Sequence, residues 1–239
     1  ELMRLLMFLL LAVSGLAQVK RPGDEFKSSA GVVRLTVINH ASFMLEGGGA
    51  VIHVDPVGAS RYEGLPQADL ILITHTHGDH LDPQALARLR KATTVVIGPE
   101  AAKSVAGLTI MHNGDSREFG KWRIEAVPAY NLSKGAPGER IFHPKGEGNG
   151  YVLALADLRL YVAGDTGPIP EMANLKGITA AFLPMNQPFT MTPEEVAAAA
   201  RSFKPKIVYP YHSRGSDPEA LKKALAGSGI EVRVLDWYY

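Results

Sequence analysis

The stretch THTHGDH, at residues 74–80, most constrains what this chain of 239 residues can form. It follows an apolar run at residues 70–73, which is typical of a strand buried on both faces. It precedes Asp82-Pro83, a cap residue followed by proline, which is typical of a helix start. The histidines therefore lie on a turn between a buried strand and a helix.

The same stretch contains four potential metal ligands within six positions: His75, His77, Asp79 and His80. His75 and His77 are two residues apart, so in extended backbone their side chains point to the same side. Four ligands are too crowded for one tetrahedral zinc, and we predict that His75 and His77 bind one ion and the other two a second. A site built from histidine and carboxylate alone is typical of hydrolytic zinc, which keeps a position open for water.

Two further polar residues follow predicted strands. Asp165 comes directly after the strand predicted at residues 159–163, where its carboxylate can bridge two metals. His212 comes after the strand predicted at residues 206–210. Acidic and histidine side chains at several strand ends of one sheet predict a common site.

The pattern of elements predicts one layered α/β or α+β domain with many strands and few helices. A glycine-rich turn at residues 46–49 is expected to join strands 32–38 and 50–54 as a hairpin. Further strands are predicted at residues 70–74, 93–97, 122–127, 151–156 and 180–183, and residues 232–237 close the chain. Helices are predicted from Asp82, over 192–203 with a capping box at Thr192, and over 218–226. The segment 131–150 is the one long irregular stretch.

The chain has 25 basic and 24 acidic residues, so its net charge of +1 gives no reason to expect a nucleic-acid partner. It is 46% hydrophobic, which is ordinary for a globular domain, and it contains no cysteine, so disulfides are excluded. We expect the partner to be a small-molecule substrate.

The first residues have a different character. Arg4 precedes an apolar run at residues 5–13, and a small-residue site ends at Ala17, so we predict a signal peptide over residues 1–17. Export to the periplasm or the medium follows, with no stable membrane insertion after cleavage. Residues 18–30 are predicted to be a flexible lead-in, and residues 31–239 the folded domain.

The motif HxHxDH at 75–80, GDT at 164–166 and the late His212 together resemble the metallo-β-lactamase-fold hydrolases. The segments NHASF at 39–43 and LP at 183–184 resemble the branch that contains ascorbate-6-phosphate lactonase. The resemblance implies a single-domain, four-layer αββα sandwich with a dinuclear site along one edge. It also implies two Zn²⁺ ions per chain, with Mn²⁺ or Fe²⁺ as alternatives, and no organic cofactor.

By this resemblance, His75 and His77 hold the first metal, Asp79, His80 and His212 hold the second, and Asp165 bridges both. The family has a further histidine after the strand that precedes GDT, where this chain has Asn131. His143 and Asn131 are the candidates to replace it, and His143 is favoured because imidazole is the better zinc ligand. His112 is a more distant candidate.

Other polar residues are assigned supporting roles. Asp79 is expected to shuttle a proton, and His40 to contact the metals or the substrate as a second catalytic candidate. Asp55 is expected to orient a ligand histidine, and His53 to be a core or surface residue. The expected reaction is attack by a metal-bound hydroxide on a small ester, lactone or phosphoester. The alternatives are a non-catalytic metal sensor on the same fold and a weak β-lactamase.

Overall fold

The structure, a computed structural model, describes residues 21–135, 138 and 140–239. Within that part of the chain there are fourteen strands and three α-helices. The first seven strands are β1 (Gly23–Ser28), β2 (Gly31–Asn39), β3 (Ser42–Gly47), β4 (Ala50–Val54), β5 (Leu70–Leu72), β6 (Val95–Gly98) and β7 (Leu108–Ile110). The second seven are β8 (Ser116–Phe119), β9 (Trp122–Ala129), β10 (Gly148–Leu155), β11 (Leu158–Val162), β12 (Ala180–Pro184), β13 (Ile207–Tyr211) and β14 (Glu231–Val232). The helices are α1 (Pro83–Leu89), α2 (Pro193–Phe203) and α3 (Pro218–Leu225).

The strands form two mixed sheets of seven, each in sequence order. In each sheet the first four strands are antiparallel and the last four run parallel. An apolar core lies between the two sheets, with side chains such as Leu45 and Phe43 from one and Leu153 and Phe182 from the other. The architecture is the single-domain metallo-β-lactamase sandwich that the sequence predicts.

Helices cover the outer faces of the sandwich. Helix α1 packs on the first sheet through Leu86 and Leu89, and α2 and α3 pack on the second. The predicted helix starts are confirmed, because Asp82 caps α1 and Thr192 forms a capping box with Glu195 at α2. Over the described residues, no helix is both long and apolar enough to cross a membrane.

The prediction of a flexible lead-in over residues 18–30 is wrong for residues 23–28. This segment is β1, which pairs along its whole length with β2, from Gly23 opposite Thr36 to Ser28 opposite Gly31. Its residues are mostly polar because it is an edge strand, and Phe26 alone is buried. The predicted signal peptide at residues 1–17 lies outside the described residues.

The predicted hairpin between residues 32–38 and 50–54 is also wrong. Strand β3 lies between β2 and β4, and the turn at Gly48-Gly49 joins β3 to β4. Residues 42–45 of β3 are buried on both faces, so they show no alternation that would mark a strand. Near the C-terminus only Glu231–Val232 is a strand, although Trp237 is buried in the core between the sheets.

We predict that replacing Phe26 with alanine destabilises the domain by about 3 kcal/mol, the cost typical of a buried phenylalanine. Phe26 is 3% exposed, and its ring meets that of Tyr209 in the second sheet edge-on, with centroids 6.0 Å apart. Urea unfolding measures the effect. The control is Val32→Ala at a side chain 44% exposed, which should change stability by about 0.5 kcal/mol or less. Equal effects of the two substitutions would show that β1 does not stay packed in solution.

Candidate metal centre

The candidate site lies at one edge of the sandwich because the strands that precede its residues run in the same direction. In the first sheet, β2 and β4 are both antiparallel to β3, and β5 is parallel to β4. In the second sheet, β9 and β11 are both antiparallel to β10, and β12 and β13 continue parallel to β11. The residues that follow these strands at the shared edge are His40, Asp55, His75, Asn131, Asp165 and His212.

Asp165 is the centre of the site. Its side chain is 3% exposed, and its two oxygens lie close to four imidazoles. Oδ1 is 3.3 Å from His80 Nε2, and Oδ2 is 3.2 Å from His143 Nε2, 3.4 Å from His212 Nε2 and 4.0 Å from His75 Nε2. Gly164 allows this approach, because its φ of +64° suits glycine and a Cβ there would lie 3.0 Å from the Thr74 side chain.

The ligand atoms form three groups, two of which share His75, and in each group they all lie within 4.8 Å of one another. The groups are His75, His77 and His143; His75, His80 and Asp165; and His40, Asp79 and His212. All six residues that the sequence analysis places in the metal centre without an alternative are therefore brought together, with His143 and His40 beside them.

The donor set fits divalent metal ions. Among the described residues, the buried His75 Nε2 has no hydrogen-bond partner, and His80 Nε2 and Asp165 Oδ1 have only each other, 3.3 Å apart. Buried polar atoms normally find good partners, so poorly satisfied ones this close together indicate a binding site. Imidazole and carboxylate are the ligands of catalytic zinc sites.

Asp55 and Thr74 orient two of these histidines from behind. Asp55 is fully buried and lies 2.8 Å from His80 Nδ1, and it accepts hydrogen bonds from the amide and hydroxyl of Thr74 at 2.7 and 2.6 Å. The Thr74 hydroxyl oxygen in turn lies 3.1 Å from His75 Nδ1. This network assigns a proton to the Nδ1 atom of both rings and leaves each Nε2 facing Asp165. The role expected of Asp55 agrees with this geometry.

The charges of the buried groups depend on one another. Burial lowers the pKa of His75 well below its ordinary value, and the nearby His80 adds to this effect. Burial also acts to lower the pKa of His80, but the Asp165 and Asp55 carboxylates outweigh it and raise that pKa well above its ordinary value. For Asp165, burial acts to raise the pKa, but His212 and His80 hold it well below its usual range. Without a metal, the His80 ring therefore carries a positive charge and the Asp165 carboxylate a negative charge.

His40 and Asp79 form the exposed side of the site. The Asp79 side chain is 50% exposed, and its Oδ2 lies 3.3 Å from His40 Nε2 and 3.2 Å from His212 Nε2. His40 Nδ1 lies 2.8 Å from the Tyr238 hydroxyl, and the oxygen of that hydroxyl accepts a hydrogen bond from the Ser213 backbone amide. The sequence analysis missed Tyr238, because no local pattern connects the end of the chain with residue 40.

Of the candidates for the further metal ligand, only His143 lies within the donor cluster. His143 lies within the cluster, whereas Asn131 lies behind it, with its amide nitrogen close to two backbone carbonyls and to His143 Nδ1. His112 is at the surface beside Asp115 and Glu100 and belongs to none of the three groups. His53 is a buried residue whose Nε2 lies 3.1 Å from the Pro66 carbonyl.

Comparison with known proteins agrees with this geometry. The model of the Beta-lactamase superfamily domain matches residues 34–212. A UPF0173 metal-dependent hydrolase of Pelotomaculum thermopropionicum is 32% identical, and one of Pyrococcus horikoshii is 34% identical; each alignment covers 85% of this chain and 96% of the relative. A crystal structure from Parabacteroides distasonis, assigned to the metal-dependent hydrolases, is 45% identical with a TM-score of 0.86, over 92% of this chain and all of that one. The metallo-β-lactamase fold protein YhfI of Bacillus subtilis shares the fold at 12% identity, with a TM-score of 0.66 over 90% of this chain and 96% of that one.

The fold and the buried histidine and aspartate cluster define a metal-dependent hydrolase of the metallo-β-lactamase superfamily. Within that superfamily, the chain belongs to the UPF0173 family of metal-dependent hydrolases.

We predict that Asp55→Asn weakens the binding of one metal equivalent by about 10–100-fold, the range found when a group behind a ligand histidine is changed. The amide keeps the size of the carboxylate but loses the charge that orients His80. Titration against a chromophoric chelator measures the affinity. Asp115→Asn, at an exposed carboxylate beside His112, is the control and should change nothing. Unchanged affinity in Asp55→Asn would remove the orienting role.

We also predict that metal uptake at neutral pH releases a proton, because a metal at His80 Nε2 displaces the proton that the raised pKa retains there. The affinity should therefore fall by about tenfold for each pH unit below the raised pKa and level off above it. Calorimetry in buffers of different ionisation enthalpy counts the protons. His112→Ala should release the same number, and an affinity independent of pH between 6 and 8 would contradict the prediction.

Proposed function

We propose that this chain is a zinc-dependent hydrolase of small esters, lactones or phosphoesters. The observation that carries the proposal is the convergence of imidazole and carboxylate groups on Asp165, at an edge where Asp79 is half exposed. The groups suited to hold the metals are His75, His77, Asp79, His80, Asp165 and His212. Zinc is favoured over manganese because most of the donors are imidazoles, and over ferrous iron because a site of nitrogen and oxygen ligands generally binds Zn²⁺ more tightly.

A divalent metal bound there would polarise a carbonyl or phosphoryl oxygen and lower the pKa of water to about 7. Asp79 is the group suited to proton transfer in this reaction. Burial acts to raise the pKa of Asp79, but hydrogen bonds from His212 and His40 outweigh it and keep that pKa below its ordinary value. An ionised Oδ2 at the entrance can accept the proton of the attacking water and deliver it to the leaving oxygen.

His40 supports this role from beside His212, with the two ring centroids 3.8 Å apart. Its Nε2 lies 3.3 Å from Asp79 Oδ2, and burial lowers the pKa of its ring, so the ring is neutral at pH 7. A neutral ring can donate one hydrogen bond to Asp79 and hold the carboxylate at the entrance. The Tyr238 hydroxyl at Nδ1 fixes the orientation of the ring.

The size of the cavity supports a small reacting group. Beside His77, His143 and Asp165 there is about 30 Å³ of space that the centre of a water molecule can reach. That space suits one or two waters or a single functional group, so the rest of a substrate must lie outside the cavity. The resemblance to the ascorbate-6-phosphate lactonase branch, through residues 39–43, adds support for a lactone or a phosphoester.

The test combines metal analysis with a substrate panel. Zinc-loaded protein is assayed against lactones, p-nitrophenyl esters, bis-p-nitrophenyl phosphate and β-lactams. Turnover of a lactone, ester or phosphoester supports the proposal, whereas preferred turnover of β-lactams would replace it with a β-lactamase. Two bound metals without any turnover would favour a metal-binding sensor.

We predict that Asp79→Asn lowers kcat for the best substrate of this panel by about 10²–10⁴-fold, the usual contribution of a positioned proton carrier. Asparagine keeps an oxygen ligand but cannot carry the proton, so metal content measured on the same sample should stay near that of the wild type. Glu147→Gln is the control, because Glu147 lines the cavity beside His77 and Asp165 but belongs to none of the three ligand groups, and the substitution removes only its charge and its ion pair with Arg140. Undiminished kcat in fully metal-loaded Asp79→Asn would exclude the shuttle.

A further inference from the structure

The segment between β9 and β10 brings one imidazole into the donor cluster. His143 is 9% exposed, and its Nε2 lies 3.2 Å from His77 Nδ1 and 3.2 Å from Asp165 Oδ2. Its ring is also within 5.1 Å of the His75 ring, centroid to centroid. A single proton on Nε2 can satisfy one of these neighbours, whereas a cation among them satisfies all of them.

We propose that His143 is the third protein ligand of the metal held by His75 and His77, and that Asn131 is the residue that positions it. This proposal rests on the metal centre of the proposed function. It assigns the ligand to a connecting segment instead of the strand end, where Asn131 stands.

Asn131 fixes the backbone on both sides of the His143 ring. Its backbone amide donates to the His143 carbonyl at 2.9 Å, and its side-chain amide donates to the Phe142 carbonyl at 2.9 Å. The same side chain donates to the Phe189 carbonyl at 2.8 Å, on the loop before α2. Both amide hydrogens are thereby used, so the nearby His143 Nδ1 at 3.2 Å is a packing contact. The amide oxygen, the atom through which asparagine would bind a metal, lies instead beside Gly167, 3.0 Å from where a Cβ on that residue would be.

The His143 backbone needs this support. Its φ of +52° lies in the left-handed region, which costs a non-glycine residue about 1 kcal/mol or more unless its surroundings hold it there. Two ion pairs hold the same segment from outside the site: Lys134 to Glu195 at 2.7 Å and Lys145 to Glu171 at 2.8 Å. The segment is thus fastened at both ends, with His143 between them directed at the metal centre.

The experiment measures metal binding directly and needs no substrate. Wild type, His143→Ala, Asn131→Ala and the double variant Asn131→His/His143→Ala are loaded with Co²⁺ and with Zn²⁺. Equilibrium dialysis gives the number of equivalents and their affinities, and the visible spectrum of bound Co²⁺ reports the ligand set. His112→Ala is the matched control for loss of a histidine outside the cluster.

We expect His143→Ala to bind one metal equivalent in place of two. The affinity for the lost equivalent should fall by more than the factor of about 10–100 that is typical when a group behind a ligand is changed. Asn131→Ala should keep both equivalents at saturation but bind one of them about 10–100-fold more weakly. The double variant should recover the lost equivalent and its Co²⁺ absorption, because an imidazole at residue 131 can enter the space vacated at residue 143. Thermal unfolding in chelator shows whether each metal-free variant is folded.

Both equivalents retained at wild-type affinity in folded His143→Ala would overturn the ligand proposal, even if the wild type turns over a substrate. Equal losses in Asn131→Ala and His143→Ala, without recovery in the double variant, would overturn the positioning role. Two equivalents in the wild type with no turnover would overturn the proposed function and leave the ligand assignment standing. A wild type that binds no metal would overturn both.

Discussion

The site depends on one buried negative charge. Asp165 is almost fully enclosed, and burying an unpaired carboxylate costs several kcal/mol. Four imidazoles lie within 4.0 Å of the carboxylate and offset that cost. One of them, His80, has a raised pKa and so carries a positive charge when no metal is bound. The imidazoles would repel one another if all were charged. Burial and the neighbouring His80 lower the pKa of His75, and its ring is therefore neutral. A bound metal would supply the positive charge in place of the His80 proton, and every ring could then be neutral. The buried negative charge of Asp165 is therefore what favours either a proton on His80 or a metal ion at the same place.

The direction of the strands in the sandwich brings the aspartate and the histidines together. Each sheet begins antiparallel and ends parallel, so strands from both sheets deliver their carboxyl ends to one edge. The core between the sheets fixes their separation through stacked aromatic rings, such as Phe43 and Phe182 with centroids 4.6 Å apart. The two halves are also joined at the site itself, where the backbone amide of Asn149 at the start of β10 donates to the Thr74 carbonyl at 2.8 Å. Positions of the ligands are thus set by packing that lies outside the site.

Much of this could be read from local sequence, and the errors have a common cause. HxHxDH, the aspartate of GDT and His212 lie directly after strands, so their convergence follows from strand direction, and the caps at Asp82 and Thr192 are short-range signals. The sequence did not reveal strand β1 because it is an edge strand of mostly polar residues in which Phe26 alone is buried, nor β3 because burial on both faces removes the alternation. The positions of His143 and Tyr238 depend on how distant segments fold back, which spacing in the sequence does not encode. For the same reason, the sequence does not show that Asn131 hydrogen-bonds the backbone carbonyls of Phe142 and His143.

Backbone strain distinguishes the two sides of the centre. His40, Asp55, His143 and His212 all have positive φ, and such residues persist only where the surrounding structure holds them. Three of these follow strands and are held by the sheets. His143 instead lies on a connecting segment, and its neighbour His77 is exposed. On the other side, His80 is fully buried against Asp55. A metal on the His75 and His77 side would therefore depend on one imidazole, His143, that is held in place by hydrogen bonds from Asn131 and not by a strand end. Order in the connecting segment and occupancy of that position are coupled, because the same imidazole contributes to both.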